Sequence, residues 1–348
     1  MDTKAKLLIG AAAASLGLFS TGALAQSSVT LYGMVDLGVQ YLTNANSKHD
    51  GVVGLQSGNV YPSNWGITGR EDLGGGYAAV FKLENGINMA NGANQSPTSF
   101  FNRSAYVGLD TPYGTATVGR QYKIMFDMSL YYDPTYQAQY SLLSAGLIPD
   151  GTTLSNAIKY KSIAVGGLSG EAEYSFGQED PGHMAAGTYT GLGVDYQFRS
   201  FSARVVYEQT RGTIAAPVDT SSELDKRFSA AAKLRVGTAT LFAGFLNVNG
   251  QLQMSPDGNM YWGGAYYQIT PAFGVSAEVD HYQTRDNGHP NWFIFEGTYN
   301  LSKQTSLYAF AGYLDVGGGK NFTLNYLDTS SPGNLNQTGV IVGIRHAF

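Results

Sequence analysis

The residues with the most obvious chemical potential in this chain are five histidines, two runs of three glycines and one Asp-Gly-Asn triplet. His49, His183, His281, His289 and His346 are scattered, and the nearest pair, His281 and His289, lacks the acidic–histidine spacing of a zinc site. Gly74-Gly75-Gly76 and Gly317-Gly318-Gly319 are not followed by Gly-Lys-Ser/Thr, so both read as turns rather than phosphate loops. Asp257-Gly258-Asn259 offers calcium donors, but a polar loop explains it more simply. No Asp–His or Ser–His pair has the spacing a barrel hydrolase needs, so an outer-membrane enzyme is the weakest of the function classes weighed. The chain has no cysteine, which excludes thiol chemistry and a disulfide framework. No metal and no cofactor is expected. What remains is charge, and it is patterned: along each alternating stretch the charged side chains share one face, as in a surface that guides solutes.

The elements that must position those charges are strands. From Val29 the odd positions read Val29, Leu31, Gly33, Val35, Leu37, Val39 and Tyr41, against Thr30, Tyr32, Met34, Asp36, Gly38 and Gln40. This period of two sets one face in an apolar medium and one in a wetter one. The pattern recurs at Leu192–Phe198, Phe201–Glu208, Phe228–Val236 and Phe273–Asp280. It predicts strands near 28–42, 59–72, 76–88, 100–110 and 114–122, with eleven more between 155 and 348, sixteen in all. An even count, strands of ten or more residues, and short turns alternating with long connections predict an all-β, 16-stranded antiparallel transmembrane barrel. An open sheet edge finds no hydrogen bonds in lipid, so the last strand must pair with the first. One connection, at about 123–154, is far longer than a plain loop needs to be, and it is expected to fold inward and narrow the lumen.

Composition agrees. Forty-five Gly, 24 Tyr and 17 Phe with 14% charged residues suit tilted strands and aromatic girdles. A net charge of −5 argues against a nucleic-acid surface. Lys4 and Lys6, the apolar run Leu7 to Leu24 and Ala23-Leu24-Ala25 describe a signal peptide over 1–25, leaving a barrel domain at 26–348. Beyond residue 25 no run reaches the roughly 18 apolar residues of a membrane helix.

The sequence resembles the Gram-negative general porins of the beta-proteobacterial type. The resemblance is carried by Gln26-Ser27-Ser28-Val29-Thr30-Leu31-Tyr32-Gly33 with Asp36, by Gly69-Arg70-Glu71-Asp72-Leu73-Gly74-Gly75-Gly76, and by Arg103-Ser104-Ala105-Tyr106-Val107-Gly108-Leu109. It continues through Tyr113-Gly114 to Gln121, Asn156 to Tyr160, and Gly339 to the terminal Phe348. It implies a homotrimer in outer-membrane lipid and lipopolysaccharide, each barrel passing small hydrophilic solutes and ions past its third loop. It also implies that Phe348 is an assembly signal, and that a basic wall faces acidic residues on the inward loop. Of three wall positions commonly arginine in the family, the match keeps Arg103, while Asn64 and Thr153 occupy the other two. Arg120, Lys82 and Lys159, with Lys161 nearby, are the remaining basic candidates; Asp127 and Asp133 on the loop and Asp36 and Glu84 on the wall are the acidic ones. Weak selectivity leaning to cations is expected from the two vacated arginines. Arg103 has the parity of Ala105, Val107 and Leu109, so the favoured arrangement turns that apolar face inward under the loop and leaves Ser104, Tyr106 and Gly108 facing a neighbouring subunit. The runner-up function is a substrate-selective channel with Tyr131, Tyr132, Tyr136 and Tyr140 as an aromatic track.

Overall fold

A computed structural model describes residues 28–141, 151–179, 181–215, 218–252, 256–325 and 334–348. The signal-peptide segment and the predicted start at Gln26 lie outside the described residues. Sixteen strands close into one antiparallel barrel. They are β1 (Ser28–Leu42), β2 in two pieces (Val52–Ser57 and Asn64–Gly74), β3 (Tyr77–Gly86), β4 (Ser104–Thr111), β5 (Gly114–Tyr122), β6 (Thr153–Ser162), β7 (Leu168–Ser175) and β8 (Tyr189–Phe198). The second half comprises β9 (Phe201–Arg211), β10 (Leu224–Val236), β11 (Ala239–Gly250), β12 (Gly258–Gln268), β13 (Phe273–Thr284), β14 (Asn291–Asn300), β15 (Thr305–Asp315) and β16 (Gln337–Ala347). No helix of the described residues is long and apolar enough to cross a membrane.

Closure is made by β16 against β1, in register from Met34 opposite Ala347 to Leu42 opposite Gly339. The chain end completes it: Gly33 and Phe348 exchange two backbone bonds of 3.0 Å, and the Phe348 ring lies over Gly33, 2.3 Å from where a Cβ would stand. Only glycine leaves room for that ring.

The outer face is apolar because alternation puts it there. Leu31, Val107, Val194, Phe295 and Val342 are all exposed, as a lipid-facing band requires. The inner face departs from a simple polar lining. On β15, Leu307, Ala309 and Ala311 point out, while Tyr308, Phe310 and Leu314 point in and are buried. They are covered by chain inside the barrel: the segment after β5, with its short helix α1 (Phe126–Tyr132), and Phe322 and Leu324 from the last long connection.

The second strand differs from the single run expected at 59–72. Val52–Ser57 pairs with Leu37–Leu42, Asn64–Arg70 pairs with Ser28–Met34, and 58–63 leaves the sheet. Gly58 makes the exit possible with φ of +75° and Pro62 packed against it. The excursion is held from β1 by Asp36, whose Oδ2 accepts the amides of Val60 at 2.8 Å and Tyr61 at 3.3 Å.

Candidate permeation site

Glu84 on β3 gathers the first group of charges. Tyr32 of β1 and Lys82 of β3 share its inner face, and Ser104 is its register partner on β4. Lys82 Nζ lies 2.8 Å and Arg103 Nε 2.7 Å from the carboxylate, and the hydroxyls of Tyr32 and Tyr122 donate to it at 2.6 and 3.1 Å. The Arg103 guanidinium sits over the rings of Tyr61 and Tyr122, 5.6 and 5.5 Å from their centroids.

Arg103 therefore points inward, but not by the route expected. Val107 and Leu109 are exposed on the outer face, and Ser104 and Tyr106 share the inner face of Glu84 and Lys82. The expected inversion of that strand is overturned. Arg103 escapes alternation because β4 begins one residue later, at Ser104.

The second group includes the expected Lys159 and Asp127 but is centred on Arg204, which was not among the candidates. Arg204 on β9 is 1% exposed, and its guanidinium meets Asp195 at 2.7 Å, Glu171 at 2.8 Å, Asp127 at 3.4 Å and the Ile124 carbonyl at 3.1 Å. Lys159 joins it, 3.7 Å from Glu171 and 3.6 Å from Glu173, while Glu173 accepts the Ile124 amide at 3.1 Å. These groups fasten the start of the inward segment to β7 and β9. Burial pushes the Asp127 carboxyl above its ordinary range, and the Arg204 guanidinium pulls it back.

From there the segment follows the inner wall. Lys233 donates to the Tyr131 carbonyl at 3.0 Å and Trp262 Nε1 to that of Tyr132, also at 3.0 Å. Asp133, fully buried, accepts the Thr135 amide and hydroxyl at 2.6 and 2.7 Å, and burial raises its pKa. Gln139 donates to the Asn59 carbonyl at 2.8 Å, and the Tyr140 hydroxyl to Gln40 at 3.2 Å. Residues 123–141 thus run from β7 round to β1 inside the barrel. Residues 142–150 lie outside the described set.

The predicted residues divide accordingly. Arg103, Lys82 and Glu84 form one cluster, and Lys159 and Asp127 belong to the other. Asp36 is buried beneath the 58–63 excursion, with Tyr308 donating to it at 2.5 Å, so it anchors chain rather than facing open water. Asp133 is likewise enclosed. Arg120, in a bulge between Gly119 and Gln121, pairs with Ala105 and bonds Asn102, Thr153 and Ser155, each at 2.7 Å. It stays apart from both clusters. Of the positions without arginine, Asn64 is buried and donates to the Pro62 carbonyl at 2.8 Å, and Thr153 accepts from Arg120. The nearest histidines, His281 and His289, have rings 6.5 Å apart, and His281 Nδ1 lies 2.7 Å from Asn291. Among the described residues no group of three His, Cys, Asp or Glu is placed to hold a metal.

Arg204 carried a signal that was readable. The two-residue turn Arg199-Ser200 sets Asp195 opposite Arg204, so a buried ion pair follows from turn arithmetic.

A closed barrel with an apolar outer face, polar groups gathered inside and a chain segment lying in its lumen is a transmembrane channel protein of the outer membrane. The chain belongs to the Gram-negative porin family, whose model matches residues 11–319. It is 29% identical to outer membrane porin protein 32 of Delftia acidovorans, over 94% of this chain and 96% of that one. An outer membrane porin protein of Bordetella pertussis is 27% identical, over 97% and 98% of the two chains. Among solved structures, the anion-selective porin from Comamonas acidovorans superposes with a TM-score of 0.79 at 26% identity, covering 93% of this chain and all of that one.

Proposed function

We propose that the chain is a general diffusion porin: a water-filled, non-catalytic channel for small hydrophilic solutes and ions, narrowed by the inward segment. The observation that carries this reading is the path of residues 123–141, bonded to the inner wall from Glu173 on β7 to Gln40 on β1. A segment so held reduces the cross-section without closing it. We take the working unit to be a homotrimer in outer-membrane lipid and lipopolysaccharide, on family grounds; a Vibrio cholerae outer membrane protein of the same fold was solved in a trimer form.

Selectivity follows from how the charges are paired. Arg103, Lys159 and Arg204 each lie against carboxylates, so little unbalanced positive charge reaches the lumen. The Comamonas acidovorans porin is described as anion-selective. Here Asn64 and Thr153 stand where the family resemblance expects arginine, and we infer weak selectivity with a lean to cations. Planar-bilayer recording of refolded protein in a salt gradient is expected to give three equal conductance steps and a small reversal potential on the cation side. A strong anion preference would contradict the inference.

The aromatic-track reading is less well supported. Tyr132 and Tyr140 are buried and fix the segment to the wall, leaving Tyr131 and Tyr136 exposed.

A further inference from the structure

Between the inward segment and the short-turn end of β12–β16 lies a cavity of about 470 Å3, within the range of small-molecule sites. Its walls are of two kinds. Tyr61 from the excursion, Leu130 and Tyr136 from the inward segment and Tyr266 from β12 form an apolar, aromatic side. Glu296 of β14 and Arg345 of β16 supply opposite charges.

The two charged groups do not satisfy each other. Tyr266, Ser276 and Glu296 lie side by side across β12–β14, whereas Arg345 lies in the row of Ser306 and Asn300. Those rows are four residues apart on β14, about 13 Å between backbones, a gap that the long Arg345 and Glu296 side chains, which line the same cavity, narrow. Glu296 accepts a hydroxyl from Thr298 at 2.7 Å, and Arg345 Nε donates to Ser306 at 3.2 Å. Neither takes part in an ion pair among the described residues: Asp36, the register partner of Arg345 on β1, is committed to Val60, Tyr61 and Tyr308, and both charged groups line the cavity.

The aromatic side is built as well. Tyr136 holds a left-handed backbone with φ of +54°, a conformation a bulky residue adopts only when its surroundings impose it. Its ring meets Tyr266 and Phe242 edge-on, at 6.3 and 5.7 Å between centroids. Tyr266 in turn covers Gly274, where a Cβ would stand 2.4 Å from its hydroxyl.

We propose that this cavity is a transient binding site for a small zwitterion with an aromatic or apolar group, of the amino-acid class. Its carboxylate would meet Arg345, its ammonium Glu296, and its side group the three tyrosines. An acid and a base held apart select a ligand carrying both charges, because a simple anion or cation satisfies one and leaves the other unmatched. The proposal rests on the lumen being a conducting pore.

The test is single-channel recording with phenylalanine added to one side, compared with phenylacetate, phenethylamine and glycine. Phenylalanine is expected to lower the current saturably, and the other three to need about tenfold higher concentration, each lacking one of the three contacts. Arg345→Gln should weaken phenylalanine and phenylacetate, and Glu296→Gln should weaken phenylalanine and phenethylamine. Tyr136→Ala, on the segment rather than the barrel wall, tests the ring contact should a wall variant fail to fold. A current that falls linearly with phenylalanine, or a saturable block indifferent to these variants, would overturn the site. Saturation-transfer NMR of phenylalanine on detergent-solubilised protein reads the site without conduction. Binding there with no conductance would overturn the channel reading and leave the site standing, and no binding there would overturn the site alone.

Discussion

Arg204→Ala is expected to cost the folded barrel about 3–5 kcal/mol, the range for removing one partner of a buried charge pair. The guanidinium is 1% exposed and bonds three carboxylates and a backbone carbonyl. Without it Glu171, Asp127 and Asp195 face each other with only Lys159 and Lys161 near Glu171, and repulsion replaces attraction. The effect reaches function because Ile124 and Asp127 belong to the inward segment. Loss of the heat-modifiable folded band at a clearly lower temperature, together with a noisier open-channel current, is the expected result. Adding Glu171→Gln should restore part of the stability, since one of the stranded charges is then gone. Unchanged stability would show that the other contacts of the segment suffice to hold it.

Asp36→Ala is expected to be nearly as severe, about 4 kcal/mol, because it strands the Val60 and Tyr61 amides and the Tyr308 hydroxyl, buried donors that each cost roughly 1–3 kcal/mol unsatisfied. The excursion at 58–63 also receives the far end of the inward segment, through the Gln139 amide and the carbonyl of Asn59. Amide hydrogen exchange at Val60, Tyr61 and Gln139 should rise together in this variant. Asp36→Asn keeps an acceptor for one amide and should lose less. If Asp36→Ala instead changed only ion selectivity and left exchange unaltered, Asp36 would be a lumen charge and not an anchor.

These two residues mark the limit of what the sequence disclosed. The barrel was legible because lipid imposes a period of two on every strand, and a closed sheet imposes an even count. Asp36 was legible as an inner-face carboxylate, but its partners Val60 and Tyr308 lie 24 and 272 positions away. No local pattern reports such contacts. The split of β2 escaped for the same reason, since the run expected at 59–72 carries no local sign that Asp36 draws 58–63 inward. Arg103 was misread on the orientation of its neighbours because alternation was extended one residue beyond the start of β4. Arg204 was within reach through its hairpin, as Asp195 was, but the four-way cluster around it required the register of β7 and the position of the segment.

The central claim is that the segment from residue 123 onward sets the size limit of the pore. The direct measurement is liposome swelling with uncharged sugars of graded size, for the full chain and for a variant in which 124–150 is replaced by a short glycine-serine link. The full chain should show a smooth decline with solute size and no saturation, and the variant should admit distinctly larger sugars at higher rates. If both proteins give the same cutoff, with the variant shown to be folded, the inward segment does not define the passage.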